Sequence, residues 1–156
     1  MNFPIFVPIN DYAMWKRIQT LYLAISTAMV VAMFFCKFAT DLGSTGDDAA
    51  IWYYEKTSYL LMLIMLLTAH VFAICTYKSP MLQARVSIIS ALALIGFQIW
   101  LGVDFLMYMK DFSFSVTMLF PIPAAFLDFL AGHNAMVDEF TILAVKRRKN
   151  QKKNRK

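Results

Sequence analysis

Four long apolar stretches occupy most of the chain, and polar residues are concentrated between them and in the C-terminal tail. Within each stretch the apolar residues run continuously instead of alternating with polar ones, which favours helices over the strands of a membrane barrel. A helix rises about 1.5 Å per residue, so about 20 residues cross some 30 Å of hydrocarbon. The pattern therefore predicts four membrane-spanning helices, at residues 18–38, 58–77, 86–109 and 112–130.

The predicted fold class is all-α: an integral membrane four-helix bundle, followed by a cytoplasmic amphipathic helical extension and a basic tail. We divide the chain into an N-terminal interfacial segment (1–17), a transmembrane domain (18–132) and the extension with its tail (133–156). Composition agrees, because 60% of the residues are hydrophobic and 16% are charged. A soluble domain of this composition would have too little polar surface.

Prolines indicate where helices end. Pro80 follows Ser79 in the short link between the second and third spans, and proline disfavours helical geometry in the residue before it. We expect these two spans to form an antiparallel hairpin. Pro121 and Pro123 lie inside the fourth predicted span, where each removes a helical backbone hydrogen bond. The fourth helix should therefore kink there or begin later than its hydropathy suggests.

The distribution of Lys and Arg predicts the orientation in the membrane. Most of these residues lie before the first span, between the second and third spans, and after the fourth. Only three of these residues are predicted on the other side of the membrane: Lys37, Lys56 and Lys110. Because cytoplasmic loops carry the excess of Lys and Arg, both termini are expected in the cytoplasm.

Ionisable residues within the spans are the natural candidates for function, because a charge in hydrocarbon is costly and usually needs a partner. Counted along the predicted spans, Asp104 should lie at the external boundary, beside Lys110 and Asp111, and Asp128 towards the cytoplasmic boundary. Carboxylates on opposite sides of the membrane are a poor acid and base pair. His70 lies deeper, in the second span, and is a weak candidate for proton transfer or cofactor ligation.

No partner for His70 is evident from the sequence. Axial haem ligation in a bundle needs a second ligand at matching depth, and His133 is placed at the cytoplasmic boundary. An interhelical hydrogen bond is the preferred interpretation of His70. Cys36 and Cys75 are predicted near opposite membrane faces, too far apart for a disulfide. Since the sequence carries no catalytic or metal-binding motif, we predict no catalytic residues, no metal site and no cofactor.

The segment after the fourth span has helical apolar spacing and contains an acidic pair, Asp138 and Glu139. Its apolar positions are Met136, Val137, Phe140, Leu143 and Ala144. This spacing predicts an amphipathic extension of the last helix. Lys16 and Arg17 are expected at the same membrane face, so the acidic pair is predicted to interact with them.

Eight cations lie among the last eleven residues: Lys146, Arg147, Arg148, Lys149, Lys152, Lys153, Arg155 and Lys156. Such a tail can fix topology, attract anionic lipid at about 1 kcal/mol per cation near the surface, or contact nucleic acid. It has no aromatic residue to stack on a base. Topology and binding to anionic lipid are therefore favoured over nucleic acid.

Three short motifs resemble a known family. They are MWKRIQTLYL at 14–23, YKSPMLQ at 77–83 and the pair Asp138-Glu139. Together they are similar to a family of small four-span bacterial membrane proteins classified only as a domain of unknown function. The resemblance covers about 14–149 and implies a four-helix protein of the bacterial inner membrane, with no activity or catalytic residue to transfer.

The chain departs from this resemblance at both ends. The family usually begins near the position of Met14 and carries an arginine-containing motif soon after the acidic pair, where this chain has a lysine-rich run. Met14 is therefore a candidate alternative start. An intact-mass measurement that finds only chains beginning at Met1 would reject this hypothesis.

Three functional classes fit the sequence. The first is a non-catalytic accessory or scaffold subunit, with a membrane-protein partner or as a homo-oligomer, and we prefer it because no constellation of polar residues is evident. The second is a small transporter or channel, which would need to oligomerise around residues such as Gln98 or His70. The third is a membrane enzyme or redox subunit that uses His70, Asp128 or His133.

Overall fold

The fold is described by a computed structural model at residues 9–41, 50–76 and 79–154, with side chains described at 18–41, 50–76, 79–148 and 150–151. Four helices form most of it: α1 (Ile9–Phe34), α2 (Thr57–Cys75), α3 (Pro80–Tyr108) and α4 (Pro121–Asn154). Three short strands lie between them: β1 (Lys37–Asp41), β2 (Ala50–Trp52) and β3 (Phe112–Phe114). A single 3₁₀ turn, Val116–Leu119, precedes α4. The predicted all-α class is confirmed, with a small sheet added to it.

The four helices pack in a ring. Helix α4 packs against α1 and α3, and α2 packs against the same two helices from the opposite side. Neighbours run antiparallel, because Tyr59 of α2 meets Asp104 of α3 while His70, farther along α2, meets Ser90. We call the end of the ring that carries the strands the sheet end, and the end from which α4 continues the tail end.

Within the described residues, three helical segments are long and apolar enough to cross a membrane: Thr57–Cys75, Pro80–Tyr108 and Val116–Arg148. The apolar part of α1, Ile18–Phe34, is shorter. The outer surfaces of the helices expose many large apolar side chains, such as Leu61, Ile89 and Phe126, each more than 60% exposed. An apolar surface this extensive fits lipid as the surrounding solvent. The chain is thus a helical membrane protein.

The strands form an antiparallel sheet in the order β2-β1-β3, which covers the sheet end of the helices. Phe38 of β1 is buried and makes edge-to-face contacts with Tyr53, Tyr59 and Phe114, with ring centroids 5.4, 5.0 and 5.3 Å apart. Each such aromatic pair contributes about 0.5–1.5 kcal/mol beyond the burial of its area. The contact with Tyr59 attaches the sheet to α2.

Several helix ends differ from the predicted spans. Helix α1 begins at Ile9, within the segment predicted to be interfacial, and α3 begins at Pro80 rather than at Val86. Helix α1 ends at Phe34 rather than at Phe38, because Lys37–Asp41 forms backbone hydrogen bonds with both neighbouring strands. Helix α4 begins at Pro121 rather than at Phe112, because Phe112–Phe114 pairs with β1. Pro121 occupies the first helical position, where its missing N–H removes no helical hydrogen bond. Of the two outcomes expected for the prolines, the later start is the one observed.

Helix α4 continues far beyond the apolar part of the chain. It contains 34 residues, which corresponds to a length of about 50 Å at the helical rise. Since hydrocarbon is about 30 Å thick, its last turns must extend past the apolar layer. The predicted helical extension after the fourth span is therefore present in α4.

Candidate functional site: a polar cluster shared by four helices

Each of the four helices contributes one fully buried polar side chain to the middle of the ring. These residues are Ser26 from α1, His70 from α2, Ser90 from α3 and Asp128 from α4, and each is 0% exposed. We call them the core polar cluster. Because a polar group in an apolar interior is costly unless it is paired, their convergence marks the candidate site.

One nitrogen of His70 faces both α1 and α4. Its Nε2 lies 2.9 Å from Ser26 Oγ and 3.1 Å from Asp128 Oδ2. The contact with Asp128 has the distance of an ion pair but not the alignment of a hydrogen bond, and neither carboxylate oxygen has a hydrogen-bond partner among the described residues. Asp128 therefore relies on its charge interaction with the imidazole.

The other nitrogen of His70 fixes where one proton lies. Nδ1 is 2.8 Å from the carbonyl oxygen of Leu66 and 3.3 Å from Ser90 Oγ. A carbonyl can only accept, so Nδ1 carries a hydrogen and donates it to Leu66. Ser26 in turn donates its hydroxyl hydrogen to the carbonyl oxygen of Ala124, at 3.1 Å. With that hydrogen used, Ser26 Oγ can only accept from Nε2.

One arrangement of protons satisfies all of these contacts, and a second keeps the pair neutral without the hydrogen bond from Nε2 to Ser26. In the first, His70 is protonated on both nitrogens, Nε2–H donates to Ser26, and Asp128 is ionised. In the second, Asp128 carries the proton beside a neutral imidazole, whose Nε2 then has no hydrogen to donate to Ser26. Both hold the same number of protons and leave the pair with no net charge. A neutral His70 beside an ionised Asp128 would instead leave an uncompensated charge in the core, which is costly.

Small residues on α4 bring Asp128 close enough to reach His70. Ala124, Ala131 and Gly132 lie at or near helical spacing from Asp128, and all three are buried. A Cβ added at Gly132 would lie 3.2 Å from the carbonyl oxygen of Ala84 on α3. The close approach of α3 and α4 thus depends on glycine, which has no side chain, at position 132. This close approach lets the short side chain of Asp128 reach the centre of the ring.

A second polar contact lies at the sheet end. Lys56 Nζ is 2.5 Å from Asp104 Oδ2, and Tyr59 donates its hydroxyl hydrogen to the same oxygen. The Lys56 side chain is 43% exposed, whereas that of Asp104 is 11% exposed. The sequence predicted Asp104 beside Lys110 and Asp111, but its ion-pair partner is Lys56. Because that partner is exposed and close, the contact fits a structural role at the end of α3.

At the tail end, Gln19 Nε2 donates to Asp138 Oδ2 at 2.6 Å, which joins α1 to α4. The sequence predicted that Asp138 would interact with Lys16 and Arg17, whose side chains lie outside the described residues. Glu139 lines a groove of about 170 Å³ between α3 and α4, together with Arg85. Asp138 thus contacts α1, whereas Glu139 faces the groove between α3 and α4.

The tail cations are placed only in part. Lys146, Arg147 and Arg148 are exposed on the last turns of α4. The side chains of Lys149, Lys152 and Lys153, and both residues Arg155 and Lys156, lie outside the described part of the chain. The exposed cations are at the tail end, on the same side as Asp138.

The structure corrects the sequence analysis at the pair itself. Asp128 was expected towards the cytoplasmic boundary, which is wrong, because it lies beside His70 in the middle of the ring. The preferred interpretation of His70, an interhelical hydrogen bond, agrees with its contacts to Ser26 and Ser90, but its pairing with Asp128 was not foreseen.

Counting from Phe112 placed Asp128 too far along the fourth span, near its cytoplasmic end. Asp128 instead lies about two turns into a helix that begins at Pro121. Proline at the first helical position is the signal that would have moved it to the depth of His70.

The geometry also bears on what His70 can do. Both ring nitrogens of His70 already contact protein groups. Coordination of a metal ion or a haem iron would need one of these nitrogens to be free. His133, the other histidine, is exposed on α4. Cys36 and Cys75 are free thiols. In the described part of the chain, no group of three or more His, Cys, Asp or Glu side chains is placed to hold a metal ion.

The fold and the core polar cluster define a small helical membrane protein with a buried histidine–aspartate pair. The chain belongs to the family described as Domain of unknown function (DUF4293), which matches residues 15–147. The predicted membership of a family of unknown function is confirmed. No curated protein and no solved structure matches the chain.

Proposed function

We propose that the protein is a non-catalytic subunit of a larger membrane assembly. The observation that carries this proposal is the complete burial of the core polar cluster. A catalytic acid, base or nucleophile must come within hydrogen-bond reach of its substrate. His70 and Asp128 instead contact groups of the same chain, and they tie helices to one another. Their arrangement suits a rigid scaffold better than a reaction centre.

The burial of His70 also argues against a pore between copies of the chain. A residue that is 0% exposed within one ring of helices cannot line a channel formed by several rings. Gln98, the other residue considered for such a channel, lines a groove on the outer side of α3 and α4. A transporter would therefore need a different set of lining groups from the one that the sequence suggested.

We further propose that the protein crosses the bacterial inner membrane four times, with both termini in the cytoplasm. Helix α1 lies antiparallel to α4 at two levels, through Ser26 with Ala124 and through Gln19 with Asp138. It therefore runs beside a helix long enough to span the membrane. The exposed tail cations would then face anionic lipid on the cytoplasmic side, consistent with the enrichment of Lys and Arg there.

The partner would bind in the groove between α3 and α4. This groove has a volume of about 430 Å³ and an almost wholly apolar lining that includes Ile95, Ile99 and Phe126. Gln98 Oε1 is buried and has no hydrogen-bond partner among the described residues. Gln98 lines the groove, and lipid chains offer no hydrogen bond to its amide group, whereas a membrane helix with a hydroxyl or amide side chain does. A transmembrane helix of another protein is therefore the occupant that we assign.

Photo-cross-linking in the native membrane tests this proposal. A photoreactive residue at Ile99 would lie in the groove, and one at Leu106 on the same helix serves as the control, because Leu106 is 70% exposed but does not line the groove. We expect Ile99 to cross-link to one defined protein, Leu106 not to do so, and Gln98→Leu to weaken the product. Labelling of lipid alone from both positions would contradict the proposal.

A further inference from the structure

We propose that the core polar cluster is a proton-binding site, which holds one proton between His70 and Asp128 and exchanges it with water at the tail end through the polar face of α3. This goes beyond the proposed subunit role, because it assigns a bound proton to the core of the helix ring. It does not depend on whether a partner protein binds in the outer groove.

The proton count follows from the hydrogen-bond directions. Leu66 and Ala124 offer only carbonyl oxygens, so Nδ1–H and the Ser26 hydroxyl are both committed as donors. One further proton then belongs to the pair, either on Nε2, which donates it to Ser26, or on the Asp128 carboxylate 3.1 Å away. Removing that proton leaves a lone carboxylate, and adding a second leaves a lone imidazolium, each without a counter-charge in the core. One shared proton is the neutral state.

A line of polar groups leads from this pair towards the tail end. Gln83, Ser87 and Ser90 are buried on one face of α3, at spacings of four and three residues. Gln83 Nε2 and Ser87 Oγ have no hydrogen-bond partner among the described residues. Buried polar groups of this kind are generally satisfied by internal water. Water at these two groups would connect Ser90, which contacts His70, to the tail end.

The opposite direction is closed by apolar side chains. Between the cluster and the sheet end, five residues are fully buried and pack in one core: Leu63, Leu66, Leu94, Phe97 and Leu101. Asp104 and Lys56 lie beyond this core at the sheet end. A proton would therefore reach the pair from one end only.

The titratable groups around the pair are few. Helices α1 and α3 face it with Ser26 and Ser90, which do not change charge in the ordinary pH range. Tyr22 of α1 packs one turn nearer the tail end, against the buried residues there, and Asp138 lies at the tail end itself. On α4, His133 is exposed to the outside. Among the described residues, His70 and Asp128 are thus the titratable groups that face each other at this level.

Nitrogen-15 NMR of histidine-labelled protein in lipid nanodiscs, combined with infrared spectroscopy, tests the proton count in the unmodified chain. The chain has two histidines, and His133→Gln assigns their signals. We expect His70 to show either two protonated nitrogens with an ionised Asp128, or one protonated nitrogen with a protonated carboxyl band that Asp128→Asn removes. A neutral His70 without any protonated carboxyl would overturn the proposal, and this result needs no variant to fold.

Exchange of the His70 ring hydrogens with deuterated water tests the path. Ser87→Val places an apolar side chain between Gln83 and Ser90, and Ile89→Val, on an exposed position of the same helix, is the control. We expect slower exchange at His70 in Ser87→Val and wild-type exchange in Ile89→Val. Equal exchange rates in the two variants, both with wild-type helical content, would reject the tail-end path.

Discussion

His70 Nε2 and Asp128 Oδ2 lie 3.1 Å apart, and neither side chain is exposed. The two residues belong to α2 and α4, which face each other across the ring, so their contact joins helices that are not ring neighbours. In a low-dielectric interior the attraction within such a pair and the cost of breaking it are both large. The pair therefore connects α2 to α4 across the ring and is the candidate functional site.

Removal of both partners together should be less destabilising than the sum of their separate removals. His70→Ala leaves the Asp128 carboxylate buried without a counter-charge, which should lower the free energy of unfolding by about 3–5 kcal/mol. The double variant His70→Leu with Asp128→Leu should be less destabilised than the sum of its single variants. Unfolding in mixed micelles, followed by circular dichroism, measures this difference. Strict additivity would show that the two side chains do not interact.

The approach of α3 to α4 should depend on Gly132. A Cβ there would lie 3.0 Å from Ile88 Cγ1 and 3.2 Å from the Ala84 carbonyl oxygen, which belongs to the backbone and cannot rotate away. Gly132→Val should therefore destabilise the protein by about 1–3 kcal/mol. Gly96→Val is the matched control, because no heavy atom lies within 4 Å of its added Cβ. Equal thermal stabilities of the two variants would refute the close contact.

At the sheet end, Tyr59 should contribute more to stability through its contact with Asp104 than Lys56 does. Lys56 is 43% exposed, so Lys56→Gln should reduce the free energy of unfolding by under about 1 kcal/mol. Tyr59 is fully buried and donates to the carboxylate, so Tyr59→Phe should cost about 1.5–3 kcal/mol. Chemical unfolding of both variants measures which substitution lowers the free energy of unfolding more. A larger effect of Lys56→Gln would contradict it.

Stability should fall in alkali because of Tyr53. Burial raises the pKa of the Tyr53 phenol from 10.0 to about 12. Between these values the folded state keeps a proton that the unfolded state loses, so stability is complete below pH 10 and decreases as the pH rises towards 12. The slope from this group is about 1.4 kcal/mol per pH unit. Tyr53→Phe should remove that part of the pH dependence, and an unchanged alkaline slope would count against the burial of the phenol.

The sequence predicts the helices well because length and continuous hydropathy identify them almost without tertiary information. Helices α2 and α3 lie close to the predicted spans, and the link at Pro80 gives the expected antiparallel pair. The strands were missed because Lys37–Asp41 and Phe112–Phe114 are short and continue apolar runs. Their structure comes from pairing with each other, which local hydropathy does not encode.

The candidate site was only half predictable. His70 could be singled out because a histidine within an apolar span needs a partner. Its partner could not be identified, since an error of two turns in the start of α4 moved Asp128 to another depth. That Ser26 and Ser90 meet at one imidazole depends on how four helices rotate about their axes. This rotation is set by packing, including the missing side chain at Gly132.

Native mass spectrometry of the protein, gently extracted from its own membrane, tests the central claim most directly, because it reads subunit number, bound lipid and partner proteins together. A non-catalytic subunit should be recovered in a defined complex with a second protein, and Gln98→Leu should reduce that complex relative to wild type. Recovery of the chain alone, or of a homo-oligomer that retains a small molecule, would contradict the account and favour transport or catalysis.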